Sequence, residues 1–500
     1  MTSSDPSPEA GYVPPLASRL FKGSALMIAM RWVVRLLGLA NTAILARLLM
    51  PDDFGVVGFA IIMAGLVESV TNVGVSMSLI QNTQAERKHY DSAWTIQIGQ
   101  AIVVASILFA VAPFANEYFG DDRVSGVVYL TALGGAICGF ANIGIVDFRK
   151  KLQFNKDFLY TTFTRLGYFI VTAILAFWLR SYWAIAIGYV GGGLIELGLS
   201  YVMSSYRPRL SVSAVKELWS FSQWMLALSI ISYLIDRGER FIIGRLVNTA
   251  TFGYYGVGYD LAMMPTLEIV MPIARTVDAT IAMIRHEIER LRNAVINLLS
   301  VVMLLCVPTS IGFLMVSREF VTIVLGEPWL PALPIVQAAA IASILEMPVV
   351  IINGVLIRAD HVRTVGILTG IQMLLVLAVI YPAYHAFGLT GVIYAKAVVT
   401  ALALVAVATT LARHAGIRFA DYLGVLVRPT LGTIAMAFAV YGVSGFLGDN
   451  VVASLIIKAA VGAIAYATVV SMLWIVSGRP EGAEDFIFGK LQAGLGLIRS

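Results

Sequence analysis

Arg31 and Arg35 stand four residues apart in the run Leu26-Met27-Ile28-Ala29-Met30-Arg31-Trp32-Val33-Val34-Arg35-Leu36-Leu37, where the rest is apolar. Residues at that spacing share one face of a helix, so both guanidinium groups point the same way. A guanidinium offers a planar fork of N–H donors that matches phosphate or carboxylate oxygens. The chemistry such a pair suits is capture of an anion rich in oxygen, such as a phosphate or carboxylate group. A second cluster, Asp236-Arg237-Gly238-Glu239-Arg240, interrupts another apolar run, and Arg165 interrupts a third. Acids fall in similar surroundings at Glu68, Glu196, Asp260, Glu268 and Glu346. Two readings stay open. Either Arg31, Arg35, Arg165, Arg237 and Arg240 line a cationic cavity, or they form neutralised pairs, such as Arg35 with Glu68, that tie helices together. The i,i+4 spacing of Asp236 and Arg240 predicts one such pair. Glu68, Glu196, Asp236, Glu239, Asp260 and Glu268 are then pairing partners or sites for a coupling proton or sodium ion. Lys396 and Lys458 lie about two turns from the ends of their runs and are expected to snorkel to the membrane surface.

What must position these groups follows from composition. Hydrophobic residues make up 59% of the 500 and charged residues only 13%, about half of the ~25% usual in soluble domains. The chain reads as an integral membrane protein. A transmembrane helix takes roughly 17–25 mostly apolar residues. Fourteen stretches satisfy this, at about 22–46, 54–80, 92–116, 123–147, 157–179, 182–205, 217–245, 250–276, 293–317, 333–357, 363–387, 389–412, 424–447 and 451–476. Only His385 to Thr390 separates the eleventh from the twelfth. The fold expected is therefore an all-α polytopic membrane protein. A charge near the bilayer centre costs about 2.5–3.5 kcal/mol, so the intramembrane charges above should face the protein interior or water.

Alternating loops differ sharply in Lys and Arg. Twenty-three lie on the side that holds Arg19, Arg87, Arg149, Arg207, Arg290, Arg358, Arg413 and the C-terminal tail; five (Arg47, Arg123, Arg180, Arg245, Arg318) lie on the other. The positive-inside rule places both termini in the cytoplasm. It also accounts for the net charge of +5 without a nucleic-acid partner. Residues 1–18 are polar and Pro-rich and read as a disordered cytoplasmic tail, with a second cytoplasmic tail at 477–500.

The hairpin after the first span repeats. Shifted by 198 positions, Ile44, Arg47, Leu48, Phe54, Gly55 and Gly58 fall on Ile242, Arg245, Leu246, Phe252, Gly253 and Gly256. Arg47 and Arg245 close the first helix of each pair, Phe54-Gly55 and Phe252-Gly253 open the second, and the glycines allow close helix packing. Six spans separate the copies, an even number, so the repeat is parallel. It divides the chain into an N-lobe (19–206), a C-lobe (207–412) related by a pseudo-two-fold along the membrane normal, and two extra helices within 413–476. Two such lobes enclose a cleft suited to alternating access.

The pattern Arg47-Leu48-Leu49-Met50-Pro51-Asp52-Asp53-Phe54-Gly55-Val56-Val57-Gly58-Phe59-Ala60, following a span that carries arginines, resembles the polysaccharide transporter family. These are O-antigen and exopolysaccharide flippases of the multidrug/oligosaccharidyl-lipid/polysaccharide exporter superfamily. The echo departs from the pattern, with Asn248-Thr249-Ala250-Thr251 where the first copy has Pro-Asp-Asp. The resemblance implies movement of an undecaprenyl-diphosphate-linked oligosaccharide from the inner to the outer leaflet of a bacterial inner membrane. Lipids are then neighbours, and a polysaccharide polymerase and chain-length proteins are candidate partners.

Span eight holds Pro265 and Pro272, which break backbone hydrogen bonds and suggest a hinge. No GxxxxGK[ST] motif occurs, so no intrinsic ATP motor is indicated. The five histidines are scattered without metal-ligand spacing, and no cofactor or metal is expected. Short outer loops argue against a polytopic glycosyltransferase, although Asp52-Asp53 sits where such enzymes place acids. A cation-coupled drug exporter of the same superfamily is the nearer alternative.

Overall fold

A computed structural model of the chain describes residues 16–478 apart from 72–73, 83, 285–286 and 418. The expected tails lie outside the described residues over 1–15 and 479–500. All regular structure among the described residues is helical: α1 (Leu16–Leu48), α2 (Pro51–Thr71), α3 (Val75–Gln81), α4 (Arg87–Phe119), α5 (Val124–Gly139), α6 (Val146–Lys150), α7 (Phe154–Leu179) and α8 (Trp183–Met203). There follow α9 (Val215–Leu246), α10 (Thr249–Ile284), α11 (Ile288–Val324), α12 (Leu333–Arg358), α13 (Val362–Ala415), α14 (Phe419–Ser444) and α15 (Val451–Val476). Each of the fourteen stretches read from the sequence coincides with a helix, a helix pair or half of α13. Among the described residues nine helices are long and apolar enough to cross a bilayer, ten if one bent pair counts as a span.

Three spans are not simple rods. α13 runs for 54 residues, about 80 Å at 1.5 Å per residue, far beyond a hydrocarbon core of about 30 Å. Gly388 divides it, at φ 65° and ψ −157°, a conformation open to glycine and closed to residues with a Cβ. The second span breaks into α2 and α3 at Gly74, which adopts φ 59°. The fourth bends by 69° between Val124–Gly139 and Ile143–Lys150. Backbone groups freed at that bend need partners. Gln97 Nε2 donates to the carbonyls of Gly139 at 3.0 Å and Ala141 at 3.1 Å. Asn142 caps the following turn, accepting from Gly144 N at 2.9 Å, while its own N–H donates to Ser200 Oγ at 2.8 Å.

The chain forms two compact units. One holds the chain through Leu48, Ala60–Glu117 and Asp122–Tyr233; the other holds Leu49–Phe59, Tyr118–Asp121 and everything from Leu234 onward. In the first, α8 packs on α7 and α5 through a glycine face: Gly188 lies against Thr172, Gly192 against Tyr168, and Gly193 against the Gly134 carbonyl. The segment after α8 is stitched to the start of α4. Asp91 Oδ1 accepts from Tyr206 Oη at 2.7 Å and Arg209 N at 2.9 Å, Thr95 Oγ1 from Ser211 N at 2.8 Å, and Ser92 Oγ from Ala214 N at 3.0 Å. Burial, and then the Asp91 carboxylate beside it, push the Tyr206 phenol above its ordinary range.

In the second unit the two copies of the repeated hairpin pack on one another. A Cβ on Gly55 would collide with the Thr249 carbonyl, and a Cβ on Gly253 with the Pro51 carbonyl. The 198-residue shift carries Pro51 to Thr249 and Gly55 to Gly253, so this is one contact made twice, as a two-fold relation requires. Phe59 stacks on Phe252 at 4.5 Å between ring centroids and on Phe119 at 4.3 Å. Phe54 meets the fully buried Trp329 edge-on at 5.0 Å.

Candidate functional site

Four helices of the second unit bring charge together. α9 supplies Glu239 and Arg240, α10 supplies Tyr255, Tyr259 and Asp260, α12 supplies Glu346, and α13 supplies Lys396 beyond its Gly388 break. Packing of α10 on α12, and of α12 on α13, sets them at a common level. The Lys396 ammonium stands 2.9 Å from Glu239 Oε2 and 3.1 Å from Oε1, 2.7 Å from Tyr259 Oη and 3.4 Å from Glu346 Oε1. Tyr259 in turn donates to Glu346 Oε1 at 2.8 Å, and Tyr255 donates to Glu239 Oε1 at 3.0 Å. Both phenols therefore support carboxylates that share the one ammonium. Lys396 and Glu346 are each 19% exposed and Glu239 11%. Arg240 forms an ion pair with Asp260, which is 61% exposed.

Two expectations are corrected here. Arg240 does not pair with Asp236 on its own helix, since Asp260 on α10 takes its guanidinium; Asp236 and Arg237 are exposed. The i,i+4 interaction within a helix contributes only about 0.2–0.5 kcal/mol, so a bidentate contact from a neighbouring helix overrides it. Lys396 and Lys458 do not snorkel. Lys396 is held as above, and Lys458 on α15 meets Glu319 on α11 at 2.5 Å, both side chains largely buried. An acid on a packed neighbour gives a lysine a shorter path to neutrality than the membrane surface does. Sequence reading passed over the role of Lys396 and the two tyrosines. A lysine well inside an apolar run, with Glu239 and Glu346 in two other runs, is the signal that points to them.

The remaining residues are distributed as follows. Arg31 and Arg35 are both half-buried on α1, and Arg165 is exposed on α7. Glu196 on α8 lies 3.9 Å from Cys138 Sγ and within electrostatic reach of Arg165, and Glu68 on α2 is exposed. Glu268 is half-buried on α10. Pro265 and Pro272 lie inside α10, which is helical throughout. Beside Pro265, Thr266 joins Ser310 and Ser343 in a buried hydroxyl cluster in which the two serine oxygens are 2.8 Å apart. Arg47 and Arg245 are exposed in the last turns of α1 and α9, where a cation favours the negative helix end. Among the described residues no group of three or more His, Cys, Asp or Glu is placed to hold a metal.

The repeat and the helical architecture have counterparts among known proteins. The family model described as "Polysaccharide biosynthesis protein" matches residues 44–334, more than half of the chain. The chain belongs to the polysaccharide biosynthesis protein family. Its resemblance to polysaccharide transporters is thereby borne out. Relatives include the lipopolysaccharide biosynthesis protein WzxC of Escherichia coli, 24% identical over 318 residues, 62% of this chain. That match spans 64% of the relative's own length. The succinoglycan biosynthesis transport protein ExoT of Rhizobium meliloti is 22% identical over 452 residues, 85% of this chain and 87% of its own. Among solved structures, lipid II flippase MurJ in an inward closed conformation has a TM-score of 0.73 at 12% identity, covering 90% of this chain and 99% of that one. An inward-facing MATE family multidrug transporter has a TM-score of 0.59 at 12% identity, over 80% of this chain and 95% of its own. These likenesses show the fold: a polytopic all-α membrane protein.

Proposed function

We propose that this chain moves an undecaprenyl-diphosphate-linked oligosaccharide from the inner to the outer leaflet of a bacterial cytoplasmic membrane, for lipopolysaccharide, capsule or exopolysaccharide synthesis. Both termini face the cytoplasm, and movement is by alternating access. The observation that carries the reading is family membership across residues 44–334, with relatives named for lipopolysaccharide biosynthesis and succinoglycan transport. The chemistry of the residues supports it. α1 carries Arg31 and Arg35 on one face and no acid anywhere along its length. We assign these two guanidinium groups to the diphosphate of a cationic cavity, with Arg165 as a further contact. A diphosphate leaving an inside-negative cell moves down the potential, worth about 2.3 kcal/mol per charge per 100 mV. A polymerase and chain-length proteins then receive the product at the outer leaflet.

The test is genetic and chemical. Arg31→Ala and Arg35→Ala should block appearance of surface polymer while the protein still reaches the membrane, and Arg→Lys at either position should restore only part of it. Normal polymer in both alanine variants removes the assignment.

A further inference from the structure

Resting on that transport reading, we propose that the Lys396 ammonium is a tethered counter-cation. It fills a four-oxygen site made by Glu239, Tyr259 and Glu346 that would otherwise take a free alkali cation, and it makes the protein's stability and transport independent of sodium.

The geometry is that of a bound cation. Four oxygens surround one nitrogen at 2.7–3.4 Å: both carboxylate oxygens of Glu239, the Tyr259 phenol and Glu346 Oε1. They come from three helices, α9, α10 and α12, while the cation comes from a fourth, α13. The oxygens are also organised without the lysine. Tyr259 donates its proton to Glu346 and Tyr255 donates to Glu239, so each carboxylate has a fixed orientation. The Tyr259 oxygen keeps a lone pair directed at the ammonium, and its ring lies 4.7 Å from the nitrogen.

Charge favours a cation between these carboxylates. Glu239 and Glu346 are mostly buried and share this one ammonium, since the neighbouring Arg240 is engaged by Asp260. Two carboxylates facing one another in a poorly solvated place disfavour joint ionisation strongly. A donor set of carboxylate and hydroxyl oxygens, with no nitrogen or sulfur, selects hard cations. A lysine satisfies that demand with a compact point charge on a flexible stem, and it cannot dissociate. The site's charge therefore does not vary with the ions on either side of the membrane. Removing the ammonium opens a vacancy of the right charge and ligand type for sodium or lithium.

The experiment uses the full chain purified in detergent, with thermal unfolding followed in sodium, lithium, potassium or choline chloride at equal ionic strength. The wild type should give one Tm in all four. Lys396→Ala should unfold about 5 °C lower in choline and recover on adding sodium or lithium, with a shift that grows as the logarithm of cation concentration. Adding Glu239→Gln to Lys396→Ala should abolish that recovery. If the alanine variant does not fold, Lys396→Met keeps the apolar stem and is measured instead. A folded Lys396 variant indifferent to every cation overturns the proposal, and so does a wild type whose Tm follows sodium. Flipping by the wild type in sodium-free vesicles should equal that in sodium. A wild type that flips nothing in either would count against the transport reading alone, because the thermal measurements need no substrate.

Discussion

α1 in the first unit and the α9–α13 cluster in the second differ in the charges their own sequences supply. α1 carries Arg19, Lys22, Arg31, Arg35 and Arg47 and no aspartate or glutamate. The cluster gathers Glu239, Asp260 and Glu346 against Arg240 and Lys396, each base in contact with an acid. A helix whose own sequence offers only cations must take its counter-anions from neighbouring helices or from a substrate. A cluster with its acids built in from neighbouring helices is suited to holding those helices together. The contrast teaches that a base's neighbours along its own helix do not decide its role: Arg240 has Asp236 one turn away and pairs with Asp260 instead.

That contrast can be broken at either end. The largest stability effect is expected from Glu239→Ala, which takes from Lys396 its nearest carboxylate and from Tyr255 its acceptor. Removing one partner of a buried pair costs about 3–5 kcal/mol, and thermal unfolding of the purified protein reads it. Arg31→Ala with Arg35→Ala should instead cut export at least about tenfold, roughly 1.4 kcal/mol in the transport step, with Tm little changed; quantifying surface polymer against membrane-inserted protein checks it. A fall in Tm as large as that of Glu239→Ala would erase the distinction between the two regions. Arg240→Ala should cost only about 1 kcal/mol, because Asp260 is 61% exposed and water replaces the guanidinium. Asp236→Asn, at an exposed position, should stay within about 0.5 kcal/mol in the same unfolding assay.

The spans were legible because apolar length is a local property, and the repeat because it is a pattern of residue types. Even the narrow division at His385–Thr390 was visible, and the structure places its break at Gly388. The two hairpins also show how a role survives a change of residue. In the first copy Asp53 Oδ2 accepts from Met50 N at 2.9 Å while Asp53 N donates to Met50 O at 3.0 Å. In the second, Asn248 Oδ1 accepts from Thr251 N at 2.8 Å. Both start a helix by satisfying its free amides, so the acids of the first copy need not recur. Partner choice was not legible. Lys396 meets residues 157 and 50 positions earlier in the chain, at Glu239 and Glu346, and no periodicity within one helix encodes that meeting. The bend after Gly139 was hidden for the same reason, since its freed carbonyls are satisfied by Gln97 on another helix.

The most direct test of the account reconstitutes the purified protein in vesicles that carry a fluorescent undecaprenyl-diphosphate oligosaccharide and follows the label between leaflets. The wild type should transfer it faster than empty vesicles do. It should not transfer a polyprenyl glycoside lacking phosphate, and the Arg31→Ala/Arg35→Ala protein should match empty vesicles. Equal transfer of the phosphate-free lipid, or undiminished transfer by the double variant, would contradict the claim that guanidinium groups of α1 carry an anionic lipid across.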